Sequence, residues 1–323
     1  MKARFIRGVG ALGIAAAAMS SHAACTTIGS TGTVGFNLAV ASNFYLSAQS
    51  IAAGFLAIGP KAYDIYICEG SSAALYSAIV PSNTPQYAMF MSADAQRPAD
   101  IASMYSSLTA SAPFRYANGT PVFLLSPNAY AATSGSYPAV NYLVTGLSSS
   151  SSPPFAEAAR SSTGLPVISN NVALSTTPPT RVSTLAVAEP SLAPYGVQAQ
   201  VILNLMGQWV TPTSRGTNVT TACSSAICAY DNINLTLNAI NNNAVTAGFV
   251  SYGQVCPALT GTTYAAGRYV LFPKYPTSQD AIMLKTTDAT AQTKASDFAT
   301  YMLGGAGATN WNTWLTNNCY QAI

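Results

Sequence analysis

Short apolar segments recur along this chain, each followed by small polar residues and then by a segment with helical character. Val34–Ala41 has the composition of a buried strand, and Phe44–Phe55 after it has the apolar spacing of an amphipathic helix. The same order returns at Tyr63–Cys68 and Ala73–Ile79. Strands that alternate with helices favour sheets covered by helices, so we predict an α/β fold.

The alternation continues through the rest of the chain. Proline fits the first turn of a helix because its missing N–H would be unpaired there, so Pro194 is predicted to open a helix that runs to about Trp209. The other predicted elements are strands at Tyr87–Met91, Leu185–Val187 and Ala247–Ser251 and a helix at Ile233–Asn241.

Two longer extended stretches, Phe114–Ser126 and Arg268–Leu284, lie far apart in the sequence. Such stretches could carry the chain from one lobe to another and back, leaving a cleft between the lobes. We therefore predict a first lobe of residues 24–115 and 276–323 and a second lobe of residues 116–275. A Ser-rich stretch at about 147–180 has the composition of a surface loop in the second lobe.

The N-terminus has the three parts of a secretory signal peptide. Lys2, Arg4 and Arg7 are basic, Val9–Met19 is apolar, and Ser21-His22-Ala23 is a small-residue cleavage site. We predict that residues 1–23 are removed and that the mature protein is periplasmic or secreted.

Charge and histidine content exclude several functions. The formal charge of +3 comes from Lys2, Arg4 and Arg7, and the remaining chain has ten basic and ten acidic residues. A neutral chain has no basic field to hold nucleic acid. The single histidine, His22, falls in the signal peptide, so the mature protein has no imidazole for a catalytic triad or a His-ligated zinc. We predict no catalytic residue, no cofactor and no metal cation.

Six cysteines in an exported chain indicate disulfide bonds. Their spacing leaves many connectivities open, and our hypothesis is the set Cys25–Cys68, Cys223–Cys228 and Cys256–Cys319. Cys25 could instead be a lipidated N-terminus, although His22 stands where a lipobox normally has leucine.

Several predicted helices begin with Ser, Asn or Gly directly after a strand. Ser42-Asn43, Ser71-Ser72 and Tyr195-Gly196 occupy such positions. The first N–H groups of a helix are unpaired and lie at the positive end of its dipole, so several of them in one cleft could hold an anion. The alternative is that each residue only caps its helix. The carboxyl ends of parallel strands are nevertheless where ligands bind in open α/β sheets.

Five sequence blocks resemble the periplasmic molybdate-binding proteins of ABC importers, which belong to the type II periplasmic solute-binding proteins. They appear in the order found in that family and span most of the mature chain. The blocks are Ala39-Val-Ala-Ser-Asn-Phe44, Gly70-Ser-Ser-Ala-Ala-Leu-Tyr76, Met91-Ser-Ala-Asp94, Leu185-Ala-Val-Ala-Glu-Pro190 with Leu192-Ala-Pro-Tyr-Gly196, and Gly248-Phe-Val-Ser-Tyr252.

The resemblance implies two α/β lobes that close on a tetrahedral oxyanion such as molybdate or tungstate. It implies a monomer that delivers this ligand to an inner-membrane ABC permease. The implied contacts are hydroxyl and amide groups of Ser42 and Ser72 and the amides of Asn43, Tyr195 and Ile233. An array made only of donors suits a fully deprotonated oxyanion.

Two other functions remain open from the sequence. The low charge and the Ser/Thr/Asn-rich composition fit a secreted interaction protein that kept the scaffold and lost its anion site. Such a protein would have a filled cleft, or amides that do not converge. The second alternative is an enzyme in which Glu69 and Glu189 act as acid and base.

Overall fold

The structure is a computed structural model that describes a defined part of the chain. The described residues are 24–59, 61–82, 85–131, 184–205, 209–216, 218–262, 264 and 268–323. The predicted signal peptide and the predicted Ser-rich loop lie outside them. Within the described part, no helix combines the length and the apolar character needed to cross a membrane.

The strands and helices alternate as the sequence predicts. In chain order the strands are β1 Ala24–Ile28, β2 Val34–Ala41, β3 Asp64–Gly70, β4 Met89–Met91, β5 Phe114–Gly119, β6 Pro121–Leu125, β7 Leu185–Ala188, β8 Ser214–Gly216, β9 Ile227–Tyr230, β10 Ala247–Ser251, β11 Tyr269–Leu271 and β12 Thr277–Met283. The helices are α1 Tyr45–Ala57, α2 Ser72–Ile79, α3 Gln96–Met104, α4 Pro127–Ala131, α5 Pro194–Leu205, α6 Ile233–Asn241, α7 Pro257–Thr260, α8 Ala289–Leu303 and α9 Trp311–Asn317.

The strands form two six-stranded sheets, and each sheet is the centre of one lobe. The first has the order β1-β3-β2-β4-β12-β5, and the second has the order β11-β6-β10-β7-β9-β8. In the first sheet β2 pairs parallel with β3 and β4, whereas β12 pairs antiparallel with β4 and β5. In the second sheet β7 pairs parallel with β9 and β10. The predicted two-lobed α/β fold is confirmed.

Each lobe has its own apolar core, because its strands are covered by helices. In the first lobe Phe44 meets Tyr116 edge to face, with ring centroids 4.7 Å apart, and Phe55 packs against Phe298 of α8. In the second lobe Phe123 and Phe249 pack with centroids 5.5 Å apart. The near-continuous burial of β2 and β7 is typical of parallel strands with both faces covered.

Two short connections join the lobes. The chain passes from the first sheet to the second at Thr120, between β5 and β6, and returns between Leu271 and Thr277. These crossovers lie within the predicted extended stretches, which are each divided into two strands. The lobe bounds of residues 24–115 with 276–323 and residues 116–275 stay a prediction.

The structure contains the three disulfides of the hypothesis, Cys25–Cys68, Cys223–Cys228 and Cys256–Cys319. The first joins β1 to β3, where the two cysteines are cross-strand neighbours. The bounds of β2, α6 and β10 are those predicted. The helix that begins at Pro194 is described as far as Leu205, and residues 206–208, just before its predicted end at about Trp209, lie outside the described part of the chain.

Candidate functional site

A small apolar cluster lies where the two lobes meet. In the first lobe it contains the last residue of β2 and a residue that follows β4. In the second lobe it contains the last residue of β7 and residues at the starts of α5 and α6. Its members are Ala41, Ala93, Ala188, Ala193, Tyr195 and Ile233. Three of the predicted contact positions are thereby brought to one place, because Ser42 directly follows Ala41, and Tyr195 and Ile233 are members.

Ser42 and Asn43 form a 3-10 turn at the carboxyl end of β2 and are each only 3% exposed. The Asn43 Nδ2 atom donates to Gln279 Oε1 at 2.9 Å. Ser42 Oγ and Asn43 Oδ1 are buried and have no hydrogen-bond partner in the part of the chain that the structure describes. Buried polar atoms are nearly always paired, so this turn has hydrogen-bonding capacity left for a ligand.

Ser72 is the first residue of α2, and its side chain joins the same region. Its Oγ accepts from the Ala93 amide at 2.9 Å, which ties α2 to the residues after β4. The neighbouring Ser71 is the helix cap, since its hydroxyl accepts from Ala74 N at 3.3 Å. Capping therefore accounts for Ser71, whereas the Ser72 hydroxyl keeps its proton available for donation.

Tyr195 and Ile233 lie in the first turns of α5 and α6, and both are buried. N–H groups at these positions have no acceptor inside their own helix. The cap of α6 is Asn232, whose side chain accepts from Leu235 N at 2.9 Å and so does not satisfy Ile233. The amides of Tyr195 and Ile233 thus lack acceptors inside their own helices, and both residues belong to the cluster.

The lobes are in contact across this site. The Ala73 amide of α2 donates to the Leu192 carbonyl oxygen of the second lobe at 3.1 Å. The Asn234 side chain of α6 donates to Glu69 Oε1 of the first lobe at 2.7 Å. These bonds join the lobes at the residues that directly follow Ser72 and Ile233.

A buried polar chain continues from Asn234 through the second lobe and back to the first. Gln254 Nε2 donates to Asn234 Oδ1, and Gln254 Oε1 accepts from Ser251 N at 3.1 Å. Ser251 Oγ donates to the Tyr195 hydroxyl at 2.9 Å, and Gln279 Nε2 donates to the same hydroxyl at 3.1 Å. The Gln279 side chain thus lies between Tyr195 and Asn43.

Sequence reasoning missed most of this chain of side chains. Ser251 and Gln254 have the Ser-x-x-Gln spacing of a capping box, and the structure contains that box, so this signal was available. Nothing in the sequence pointed to Gln279, which is 236 residues from its partner Asn43.

Glu69 is an acidic group beside the site, where it accepts a hydrogen bond from Asn234. Burial raises the pKa of its carboxyl group, and the nearby Ser42 hydroxyl and Asn234 amide lower that pKa to a smaller extent. The Ser42 hydroxyl lies beside the carboxyl group without the geometry of a full hydrogen bond. Burial also raises the pKa of the Tyr195 hydroxyl, which therefore stays protonated.

The side chain of Glu189 has different hydrogen-bond partners from that of Glu69. Its carboxylate accepts from the amide of Ser191 at 3.3 Å and from the Ser191 hydroxyl at 3.0 Å, within its own turn. The two carboxylates of the enzyme hypothesis thus have separate partners.

Residues 36–314 match the family described as bacterial extracellular solute-binding proteins. This match covers most of the chain, and the chain belongs to that family. Its members are transport proteins that bind a solute, with a membrane ABC permease as partner. No curated protein matches the chain in sequence.

Solved structures of two-lobed binding proteins are similar in fold. The periplasmic molybdate-binding protein of Azotobacter vinelandii is 19% identical with a TM-score of 0.59, over 89% of this chain and 99% of that one. The substrate-binding protein of an ABC transporter from Agrobacterium tumefaciens is 11% identical with a TM-score of 0.55, over 93% and 84%. The sulfate-binding protein SubI from Mycobacterium tuberculosis H37Rv is 6% identical with a TM-score of 0.54, over 89% and 86%. At these identities the likeness concerns the fold.

Proposed function

We propose that this protein is an exported, monomeric binding protein that captures a tetrahedral oxyanion between its lobes. Molybdate and tungstate are the first candidates, and an inner-membrane ABC permease receives the ligand. The contacts in this proposal are Ser42, Asn43, Ser72, Tyr195 and Ile233.

One observation carries the proposal. Helix starts and a 3-10 turn from both lobes meet at a single buried cluster, where their first N–H groups lack acceptors inside the helices. The Ser42 hydroxyl is buried there without a partner. Unpaired donors at helix N-termini are suited to an anion.

Neutral donors are sufficient for tight binding. A hydrogen bond to a charged group contributes about 1.5–3 kcal/mol. Six or seven contacts could then supply on the order of 10 kcal/mol, and micromolar to nanomolar affinity corresponds to about 8–12 kcal/mol. A charge-poor protein can therefore bind a dianion.

The interaction-protein alternative receives less support. It requires a filled cleft or contact positions that point to different places. Ser42, Tyr195 and Ile233 instead lie at one cluster, and the hydroxyl of Ser72 bonds to Ala93 of that cluster.

Calorimetry tests the proposal with molybdate, tungstate, sulfate and phosphate on refolded, dialysed protein. We expect at least one anion to bind with micromolar or tighter affinity, and Ser42→Ala to weaken that binding roughly 10- to 100-fold. Binding of none of the four anions would contradict the proposal.

Ser126→Ala is the matched control. Ser126 is also buried, but its Oγ accepts from the Ala129 amide at 3.3 Å at the start of α4, and neither residue is a proposed contact. This variant should lower the free energy of unfolding and leave the anion affinity unchanged. Ser42→Ala should instead weaken anion binding and leave the free energy of unfolding almost unchanged, because the Ser42 hydroxyl has no hydrogen-bond partner to lose.

A further inference from the structure

Glu69 lies between two predicted anion contacts that belong to different lobes. It is the penultimate residue of β3 and is partly buried. Its Oε1 accepts from Asn234 Nδ2 at 2.7 Å, and Asn234 directly follows Ile233. The Ser42 hydroxyl also lies near the carboxyl group. A carboxyl group is thus placed beside predicted anion contacts that are all hydrogen-bond donors.

No basic side chain faces this carboxyl group from the elements packed against it. In the sheet, Glu69 is opposite Ala24 of β1 and Val40 of β2. The 3-10 turn Ser42–Phe44 and helix α6 lie beside it, and α1 and α2 also pack against β3. None of the residues in these six segments is basic. Their ionisable side chains are Cys25, which is in a disulfide, Tyr45 and Tyr76.

One further charge arises if the chain is cleaved after Ala23. The new α-ammonium group would then be on Ala24, across the sheet from Glu69. The ordinary pKa of an α-amino group is about 8, so this group would lose its proton within the range of about pH 6 to pH 9. It is retained in Glu69→Gln, so that variant measures how much of the pH dependence comes from the amine.

We propose that Glu69 and the bound oxyanion share one proton, so that the site binds its ligand together with that proton. This inference rests on the proposed anion site. A fully deprotonated dianion would bind as the Glu69 carboxyl takes one proton from solvent, on the oxygen not bonded to Asn234. An oxyanion of the hydrogen phosphate class would instead bring the proton on its own oxygen and donate it to the carboxylate.

The physical reason is the repulsion between two anions at a site of low dielectric. A carboxylate beside a dianion would oppose binding, and no basic side chain of the neighbouring segments offsets it. A shared proton converts this repulsion into a hydrogen bond. Burial already raises the pKa of Glu69 in the absence of ligand, which makes protonation of its carboxyl group on binding more accessible.

The test is the pH dependence of anion affinity. Sulfate and molybdate are titrated calorimetrically from about pH 6 to about pH 9, a range in which neither ligand changes protonation. Above the pKa of Glu69 in the free protein, the wild-type association constant should fall about tenfold per pH unit. In Glu69→Gln this fall should be much smaller and limited to the contribution of the Ala24 amine, and near pH 9 the association constant should be higher than in the wild type.

Glu189→Gln is the control, because Glu189 also follows a parallel strand but accepts its hydrogen bonds within its own turn. This variant should keep the wild-type slope. A wild-type affinity that does not change with pH, or an equal slope in Glu69→Gln, would overturn the inference.

A second measurement does not depend on a folded variant. Wild-type calorimetry in two buffers of different ionisation enthalpy counts the protons taken up on binding. We expect a value approaching one proton per sulfate or molybdate at the upper end of the pH range, and a value of zero throughout would overturn the inference. If no oxyanion binds the wild type at any pH, the proposed function itself fails, which is a different result from binding without a proton.

Discussion

The hydroxyl group of Tyr195, in the second lobe, accepts a hydrogen bond from the Gln279 side-chain amide in β12 of the first lobe at 3.1 Å. It also accepts from Ser251 Oγ at 2.9 Å. The same hydroxyl packs directly over Gly119, where a Cβ atom would collide with it. Tyr195 therefore joins the lobes beside a crossover, while its backbone belongs to the candidate site.

Tyr195→Phe should lower the free energy of unfolding by about 1–3 kcal/mol, because the buried donors of Gln279 and Ser251 lose their acceptor. Anion affinity should change less than in Ser42→Ala, since the Tyr195 amide is retained. Urea denaturation measures the first effect and calorimetry the second. Tyr66→Phe is the control, because the Tyr66 hydroxyl makes no hydrogen bond in the described structure, and it should have almost no effect. Equal stability of the two variants would contradict this prediction.

The disulfide Cys256–Cys319 links the lobes near the crossovers. Cys256 follows β10 and precedes α7, and Cys319 follows α9, which packs in the core of the first lobe. Close by, the Gln321 side chain donates to Thr120 Oγ1 at 2.9 Å and to the Pro273 carbonyl oxygen at 3.0 Å, so it contacts both crossovers.

Replacing Cys256 and Cys319 together by serine should lower the free energy of unfolding by about 2–5 kcal/mol. It should also accelerate anion release in stopped-flow measurements, because a covalent link between the lobes beside the crossovers is lost. The control replaces Cys25 and Cys68, which are joined within the first sheet. That variant should lose stability but keep the release rate of the wild type. Equal release rates in both double variants would show that the Cys256–Cys319 disulfide does not restrain the movement of the lobes.

Asp64 holds the turn between β1 and β2. Its carboxylate accepts from the Thr31 amide at 2.8 Å, the Thr31 hydroxyl at 3.0 Å and the Gly32 amide at 2.8 Å. These bonds, the Thr31 amide first, lower the pKa of Asp64. The contribution of Asp64 to stability is therefore present above its ordinary pKa of about 4 and is lost as pH falls through the lower value of the folded protein.

Asp64→Asn should consequently destabilise the protein at pH 7. The difference from the wild type in urea midpoint should shrink as the pH falls below about 4, since the wild-type carboxylate becomes protonated there. Urea titrations at several pH values measure this. A difference that is constant with pH would contradict the sign of this pKa shift.

Gly196 allows α5 to start against the end of β7. A Cβ atom there would collide with the Ala188 carbonyl oxygen and would lie 2.9 Å from Pro190 N. Gly196→Ala should therefore displace the first turn of α5, lower stability by about 1–3 kcal/mol and weaken anion binding through the Tyr195 amide. Val197→Ala is the control, because Val197 is 42% exposed on the same helix. Wild-type affinity in Gly196→Ala would argue against a role for that amide.

The position of the candidate site was predictable to a large extent. Ser42, Ser72 and Ile233 each begin a helical segment directly after a strand or its turn, and parallel strands place such starts at one edge of the sheet. The sequence could not show that Ser71 is the cap and Ser72 the candidate contact. That distinction depends on tertiary packing: the Ser71 hydroxyl accepts from the Ala74 amide, and the Ser72 hydroxyl accepts from the Ala93 amide.

By itself the sequence determined the α/β class, the bounds of β2, α6 and β10, and the residue types at the helix starts. Apolar runs and capping residues act over a few positions, and so they can be read along the chain. Only the tertiary structure decided that Gln279 lies between Asn43 and Tyr195 and that Glu69 meets Asn234 across the lobes. These contacts join residues far apart in sequence, and they depend on how the two sheets pack rather than on any local pattern.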